Sequence, residues 1–159
     1  MALTSNYDLM EASRRNHIPL QGVFWNNELP ERGLYKEGGY VVNLGNRVEG
    51  GSHWVAFWIE KEKNGKHQAV FFDPFGGSPP ESVKRFLLPF GMVYWNDQQI
   101  QNIDTSICGY YILAFLYYMT RWRRCCPSLS KRMDVFVGLF DKDVEKNRTI
   151  LMKLLKPLS

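Results

Sequence analysis

The stretch ICGYYILAFLYYM, Ile107 to Met119, carries no charged side chain. It falls short of the ~20 apolar residues that a membrane-spanning helix needs, so it predicts a helix buried on most of its sides, around which the remaining elements must pack. A chain of 159 residues is expected to form one domain over 1–159, burying roughly two-thirds of its unfolded surface. With 45% hydrophobic, 14% aromatic and 23% charged residues, it has the large apolar side chains such a core requires and is not disordered by composition. The first residues, MALTSNYDLMEASRRN, have no continuous apolar core of the kind a secretory leader carries, and no membrane segment is expected.

Other elements follow from local pattern. Ser5 to Arg15 reads as a short amphipathic helix, ended by His17-Ile18-Pro19. Pro19 to Gly51 is expected to be mostly loop, with one strand at Tyr40-Val41-Val42. HWVAFWIE and QAVFFDPFGG flank the charged KEKNGK, which predicts a β-hairpin. Pro79-Pro80-Glu81 opens a helix through Leu88, Val93-Tyr94-Trp95 is a short strand, and the buried helix runs from about Ile107 to Trp122. CCPSLSK reads as a connection and Asp134 to Leu155 as two helical pieces. The expected class is α+β, with a mostly antiparallel central sheet packed against a buried helix that has a cysteine at its N-terminus.

That cysteine is the first candidate for chemistry. Cys108 at a helix start lies beside unsatisfied backbone N–H groups and the positive end of the helix dipole, both of which favour a thiolate. A histidinium beside it, oriented by a carboxylate, completes what acyl transfer by a thiol requires. A glutamine side-chain N–H can stabilise the oxyanion. His53, Asp73 and Gln101 are the candidates, in the order His-Trp, Asp-Pro-Phe-Gly, Gln, Cys-Gly. Taken singly, each has an ordinary explanation: a core thiol, a strand-end histidine, a turn aspartate, a loop glutamine. Their combined order distinguishes them.

GGSHWVAFWI, AVFFDPFG and the spacing from Gln101 to Cys108-Gly109 resemble the adenovirus endopeptidase (adenain) family and, more distantly, the ubiquitin-like-specific proteases that process SUMO. The acidic residue is aspartate, as in the SUMO proteases; the glutamine spacing follows adenain. The resemblance implies a papain-like, adenain-like cysteine protease fold, with His53 as general base, Asp73 as its orienting carboxylate, Cys108 as nucleophile and Gln101 in the oxyanion hole. Trp54 and Gly109 would border the substrate channel. It further implies an endopeptidase of a virus or virus-like transposon that cleaves after small, glycine-type residues and matures capsid or core proteins. Alternatives are an isopeptidase of the same fold acting on SUMO or ubiquitin, and an inactive nucleic-acid-binding or scaffolding relative.

If His53 and Asp73 act together, the hairpin register is constrained. A two-residue Asn64-Gly65 turn would set Asp73 opposite Ala56 and on the face away from His53, because strand side chains alternate. A three-residue connection, Lys63-Asn64-Gly65, sets Asp73 opposite Val55 and brings His53 to the same face one diagonal step away. The expectation is therefore a type I turn with Gly65 in the left-handed region and a bulge.

The net charge is +4, and Arg121, Arg123, Arg124, Lys131 and Arg132 crowd one end of the buried helix. They either complement its C-terminal dipole or contact nucleic acid; the use of DNA as a cofactor in the resembled family supports the second. The family's activating peptide is tethered through a cysteine between the acidic residue and the glutamine, and this chain has none between Asp73 and Gln101. Activity without a covalent cofactor, or non-covalent stimulation by peptide or DNA, is expected. Three cysteines, two of them adjacent, suit a reducing intracellular compartment, by resemblance the host nucleus or viral assembly site, with packaging in the virion. The histidines have no zinc-ligand spacing, so no metal is expected, and the protein is expected to be a monomer.

Overall fold

The computed structural model describes residues 3, 5–30, 36–45, 53–90, 93–102 and 107–159. Its centre is a five-stranded sheet whose spatial order follows the chain: β1 (Leu20–Trp25), β2 (Gly38–Asn43), β3 (Trp54–Lys61), β4 (His67–Phe72) and β5 (Tyr94–Trp95). The helices are α1 (Asn6–Arg15), α2 (Glu81–Leu87), α3 (Cys108–Arg121), α4 (Leu129–Gly138) and α5 (Asn147–Leu154). None of the helices described is long and apolar enough to cross a membrane.

The class is α+β as expected, but the sheet is mixed. β2–β3 and β3–β4 are antiparallel, whereas β1–β2 and β4–β5 are parallel. A parallel pair needs a long crossover, and β4 reaches β5 through the segment that carries α2. β1 corrects the expectation of loop after Pro19. Its signal is blurred by Gly22, by a register shift between Leu20 and Gly22, and by partial burial along its whole length rather than an in-out alternation. Parts of that segment, 31–35 and 46–52, including Gly50, Gly51 and Ser52 of the histidine motif, lie outside the described residues.

Alternation on the central strands divides the core in two. Tyr40, Val42, Val55, Phe57, Ile59, Ala69 and Phe71 face α2, which contributes Val83, Phe86 and Leu87. Val41, Trp54, Ala56, Trp58, Val70 and Phe72 face the larger layer of α1, α3, α4 and α5. α3 is buried as its composition demands: Ile112 through Leu116 and Met119 have no exposed surface.

Local signals explain the helix ends. Ser5 and Asp8 form a reciprocal capping box at 3.1 Å each way, and His17, at φ 55°, follows the end of α1 in the left-handed region. α4 begins at Leu129 rather than Asp134, capped by Ser128, whose hydroxyl accepts the Lys131 N–H. The connection after α3 therefore runs over 122–128, and Leu129, Ser130 and Lys131 of CCPSLSK belong to α4.

Candidate active site

The site grows from the end of the β3–β4 hairpin. Gly65 has φ 85°, its N–H bonds the Glu62 carbonyl at 3.0 Å, and the Glu62 N–H bonds the Lys66 carbonyl at 2.7 Å. This is the three-residue connection with a left-handed glycine that the sequence predicts. The pairing Ala56↔Phe72 continues from it, so His53, just before β3, and Asp73, just after β4, share a face. His53 Nε2 lies 2.7 Å from Asp73 Oδ1. An ionised carboxylate can only accept, so Nε2 carries the proton and Nδ1 is left for a second partner.

Two neighbours immobilise the pair. The Phe75 N–H donates to the same Asp73 Oδ1 at 2.9 Å, and its ring stacks on the imidazole with centroids 4.1 Å apart and planes within 11°. Gly77 lies so close that a Cβ there would come within 2.5 Å of Asp73 Oδ2. The role of Phe75 escaped the sequence reading, although it stands inside the quoted DPFG motif. An aromatic two residues after a turn carboxylate has no periodicity to mark it.

Cys108 is the first residue of α3, and the preceding Ile107 offers no side-chain cap. The two motifs meet at Gly109: a Cβ there would lie 2.7 Å from the Trp54 indole. Trp54 is 7% exposed and belongs to the core, so its side chain acts as a seat for the helix, while its backbone N–H approaches the Cys108 sulfur.

His53 Nδ1 is buried and makes no hydrogen bond of standard geometry. The Cys108 thiol is nonetheless close enough to the imidazole for each to shift the other's protonation, and such contacts often tighten only when substrate is bound. Burial pushes His53 down, but the bond to Asp73 and the interactions with Cys108 outweigh it and raise His53 to about 9. Burial pushes the Cys108 thiol up; the nearby His53 imidazole and the Trp54 and Gly109 N–H groups outweigh that and lower it. Opposite shifts favour a thiolate–imidazolium pair.

Gln101 is fully buried beside the turn that bears Asp73. The Ile100 and Gln101 N–H groups both donate to the Pro74 carbonyl, at 2.9 and 3.0 Å. Gly76, at φ 81°, allows that turn to touch the backbone of Asp97 and Gln99. Residues 103–106, leading from here towards Cys108, lie outside the described residues.

The basic cluster does not hold together as one surface. Arg132 has no exposed surface. It is ion-paired with Glu60 of β3 and donates to the Met119 and Cys126 carbonyls at 3.0 and 2.9 Å. This corrects its assignment as a nucleic-acid contact, because a guanidinium enclosed by protein acceptors cannot reach a phosphate. Arg123 is partly neutralised by Glu37 at 3.1 Å. Arg121, Arg124 and Lys131 are exposed.

No established family profile matches the chain. Among curated proteins, a protease of bovine adenovirus C serotype 10 is 24% identical over 124 residues, covering 68% of this chain and 61% of its own length. A protease of bovine adenovirus 2 is 26% identical over 121 residues, covering 67% and 57%. The zebrafish NipSnap homolog 1 is 30% identical over 78 residues, but that spans only 48% of this chain and 28% of its own. The chain thus spans about three-fifths of the length of the adenovirus relatives. An uninterrupted stretch of 68% of this chain must include His53 through Cys108 wherever it begins. The chain is therefore similar to the first of these adenovirus proteases across the segment that carries this site, and is adenain-like.

Proposed function

We propose that the protein is a viral thiol endopeptidase that cleaves after small, glycine-type residues and matures capsid or core proteins. The observation that carries this reading is His53, bonded to Asp73 at 2.7 Å and coupled to Cys108 at the start of the buried helix. In the proposed reaction the Cys108 thiolate attacks the scissile carbonyl carbon, and the oxyanion is stabilised by the Gln101 side-chain N–H. His53 gives its Nδ1 proton to the leaving amine as the C–N bond breaks. It then takes a proton from water, which attacks the thioester carbonyl, and cleavage of the C–S bond releases the product acid and restores the thiolate–imidazolium pair.

The preference for glycine and the capsid substrates come from the resemblance, as does the proposal that the enzyme works in a reducing compartment, the host nucleus or viral assembly site, and travels in the virion. Activation is proposed to be non-covalent. The cysteines are Cys108, Cys125 and Cys126, all free, and none lies where the family's tethered peptide attaches. DNA would act through Arg121, Arg124 and Lys131, with Arg123 contributing only if released from Glu37.

The test is cleavage of a Gly-Gly reporter peptide by the purified protein in strong reductant, with and without DNA, beside a ubiquitin-like vinyl sulfone and a Gly-Gly peptide aldehyde. Cleavage abolished by Cys108→Ala, with the aldehyde but not the folded modifier reacting, supports the endopeptidase. Labelling by the modifier indicates an isopeptidase, and no reaction with either indicates an inactive relative.

A further inference from the structure

We infer that Asn147, at the start of α5, is a positioning residue for Gln101, because it holds the carbonyl end of the peptide plane whose N–H end is held by Pro74. The inference rests on the cysteine-protease reading and adds a residue far in sequence from the motifs. Asn147 is fully buried. Its Nδ2 donates to the Ile100 carbonyl at 2.9 Å and the Asp141 carbonyl at 2.8 Å, and its Oδ1 accepts the Asp141 N–H at 2.6 Å.

The peptide group between Ile100 and Gln101 is rigid and planar. Its oxygen is bonded to Asn147, and its N–H, the Gln101 N–H, to the Pro74 carbonyl at 3.0 Å. Gripping the plane at both ends fixes the N–Cα bond of Gln101. Gln99 Nε2, donating to the Gln101 carbonyl at 3.0 Å, restrains the plane on the other side, so rotation about that bond and with it the departure of the side chain are limited. One grip comes from the turn that carries Asp73, so the oxyanion donor and the carboxylate share a support. The other comes from α5, reinforced by Asn102 Nδ2 donating to Glu145 Oε1 at 2.6 Å. Only an amide of this length meets all three bonds. A carboxylate has no proton for the two carbonyls, and leaving buried acceptors unpaired is unfavourable.

A purely structural role would damage the whole site, whereas a positioning role separates two readouts. Alkylation of Cys108 by iodoacetamide depends on the thiolate and His53 and needs no oxyanion donor. Peptide hydrolysis needs both. Asn147→Ala and the shape-conserving Asn147→Asp should lower kcat by roughly tenfold or more with KM little changed, a fraction of the ~10²–10³ loss typical when an oxyanion donor is removed. Cys108 alkylation should stay near the parent rate. In a Gln101→Ala background, Asn147→Ala should cost less than about a further twofold, since coupled residues are not additive.

An activity-independent readout accompanies these. The Gln101 side-chain amide signals in a ¹H–¹⁵N spectrum, identified by their loss in Gln101→Ala, should shift or broaden in both Asn147 variants. Additive losses, alkylation falling in parallel with hydrolysis, or unmoved Gln101 signals would overturn the inference. Should the parent protein cleave no peptide while the Gln101 signals still move, the protease reading falls and the positioning role stands.

Discussion

Phe75 lies face to face with His53, ring centroids 4.1 Å apart, while its own backbone N–H holds the carboxylate oxygen that binds the same imidazole. One residue thus restrains both the plane of the ring and its hydrogen-bond partner. An aromatic stack contributes about 0.5–1.5 kcal/mol beyond area, so Phe75→Leu should lower kcat/KM by roughly three- to tenfold. Phe75→Tyr, which keeps the stack, should be close to the parent. Equal loss in both variants would show that the stack is not what matters.

The opposite shifts of Cys108 and His53 predict a bell-shaped pH dependence. Below the lowered thiol value Cys108 is protonated and inert; above about 9 the imidazolium has lost the proton it must give to the leaving amine. Cys108 should be alkylated faster than Cys125 or Cys126 at neutral pH, and His53→Ala should slow it. Asp73 raises His53, so Asp73→Asn should move the alkaline limb of kcat/KM downward by about one pH unit or more. An unmoved limb in that variant would mean that another group sets it.

Gly109 is the contact through which the helix carrying the nucleophile reaches the strand carrying the base. An added methyl 2.7 Å from the Trp54 ring and 3.3 Å from the Leu3 carbonyl has no room. Gly109→Ala should destabilise the protein by about 1–3 kcal/mol and slow Cys108 alkylation, read by urea unfolding and by mass spectrometry.

Arg132 and its exposed neighbours should behave oppositely. Removing the guanidinium leaves Glu60 a buried charge, so Arg132→Met should cost about 3–5 kcal/mol in urea unfolding while leaving any DNA affinity intact under folding conditions. Replacing Arg121, Arg124 and Lys131 by Glu should leave stability nearly unchanged. If DNA binds there, the same replacement should weaken it and flatten its salt dependence.

Much was legible in the sequence because its causes are local. Apolar composition specified the buried α3, the amphipathic pattern from Ser5 to Arg15 gave α1, and the strand patterns on either side of Asn64-Gly65 set the hairpin. Its register came from requiring His53 and Asp73 to share a face, and the Ala56↔Phe72 pairing has that register. Tertiary structure decided what depends on distant partners. β1 is a strand because β2 supplies parallel hydrogen bonds along an edge that LQGVFW does not advertise. Arg132 is a core ion-pair residue rather than a surface cation because β3 delivers Glu60 to the underside of α4. Asn147 meets Ile100 only when α5 folds back against the Asp73 turn. Periodicity records which face of an element is buried; it carries no record of which distant carbonyl or carboxylate waits there, and that was settled by packing alone.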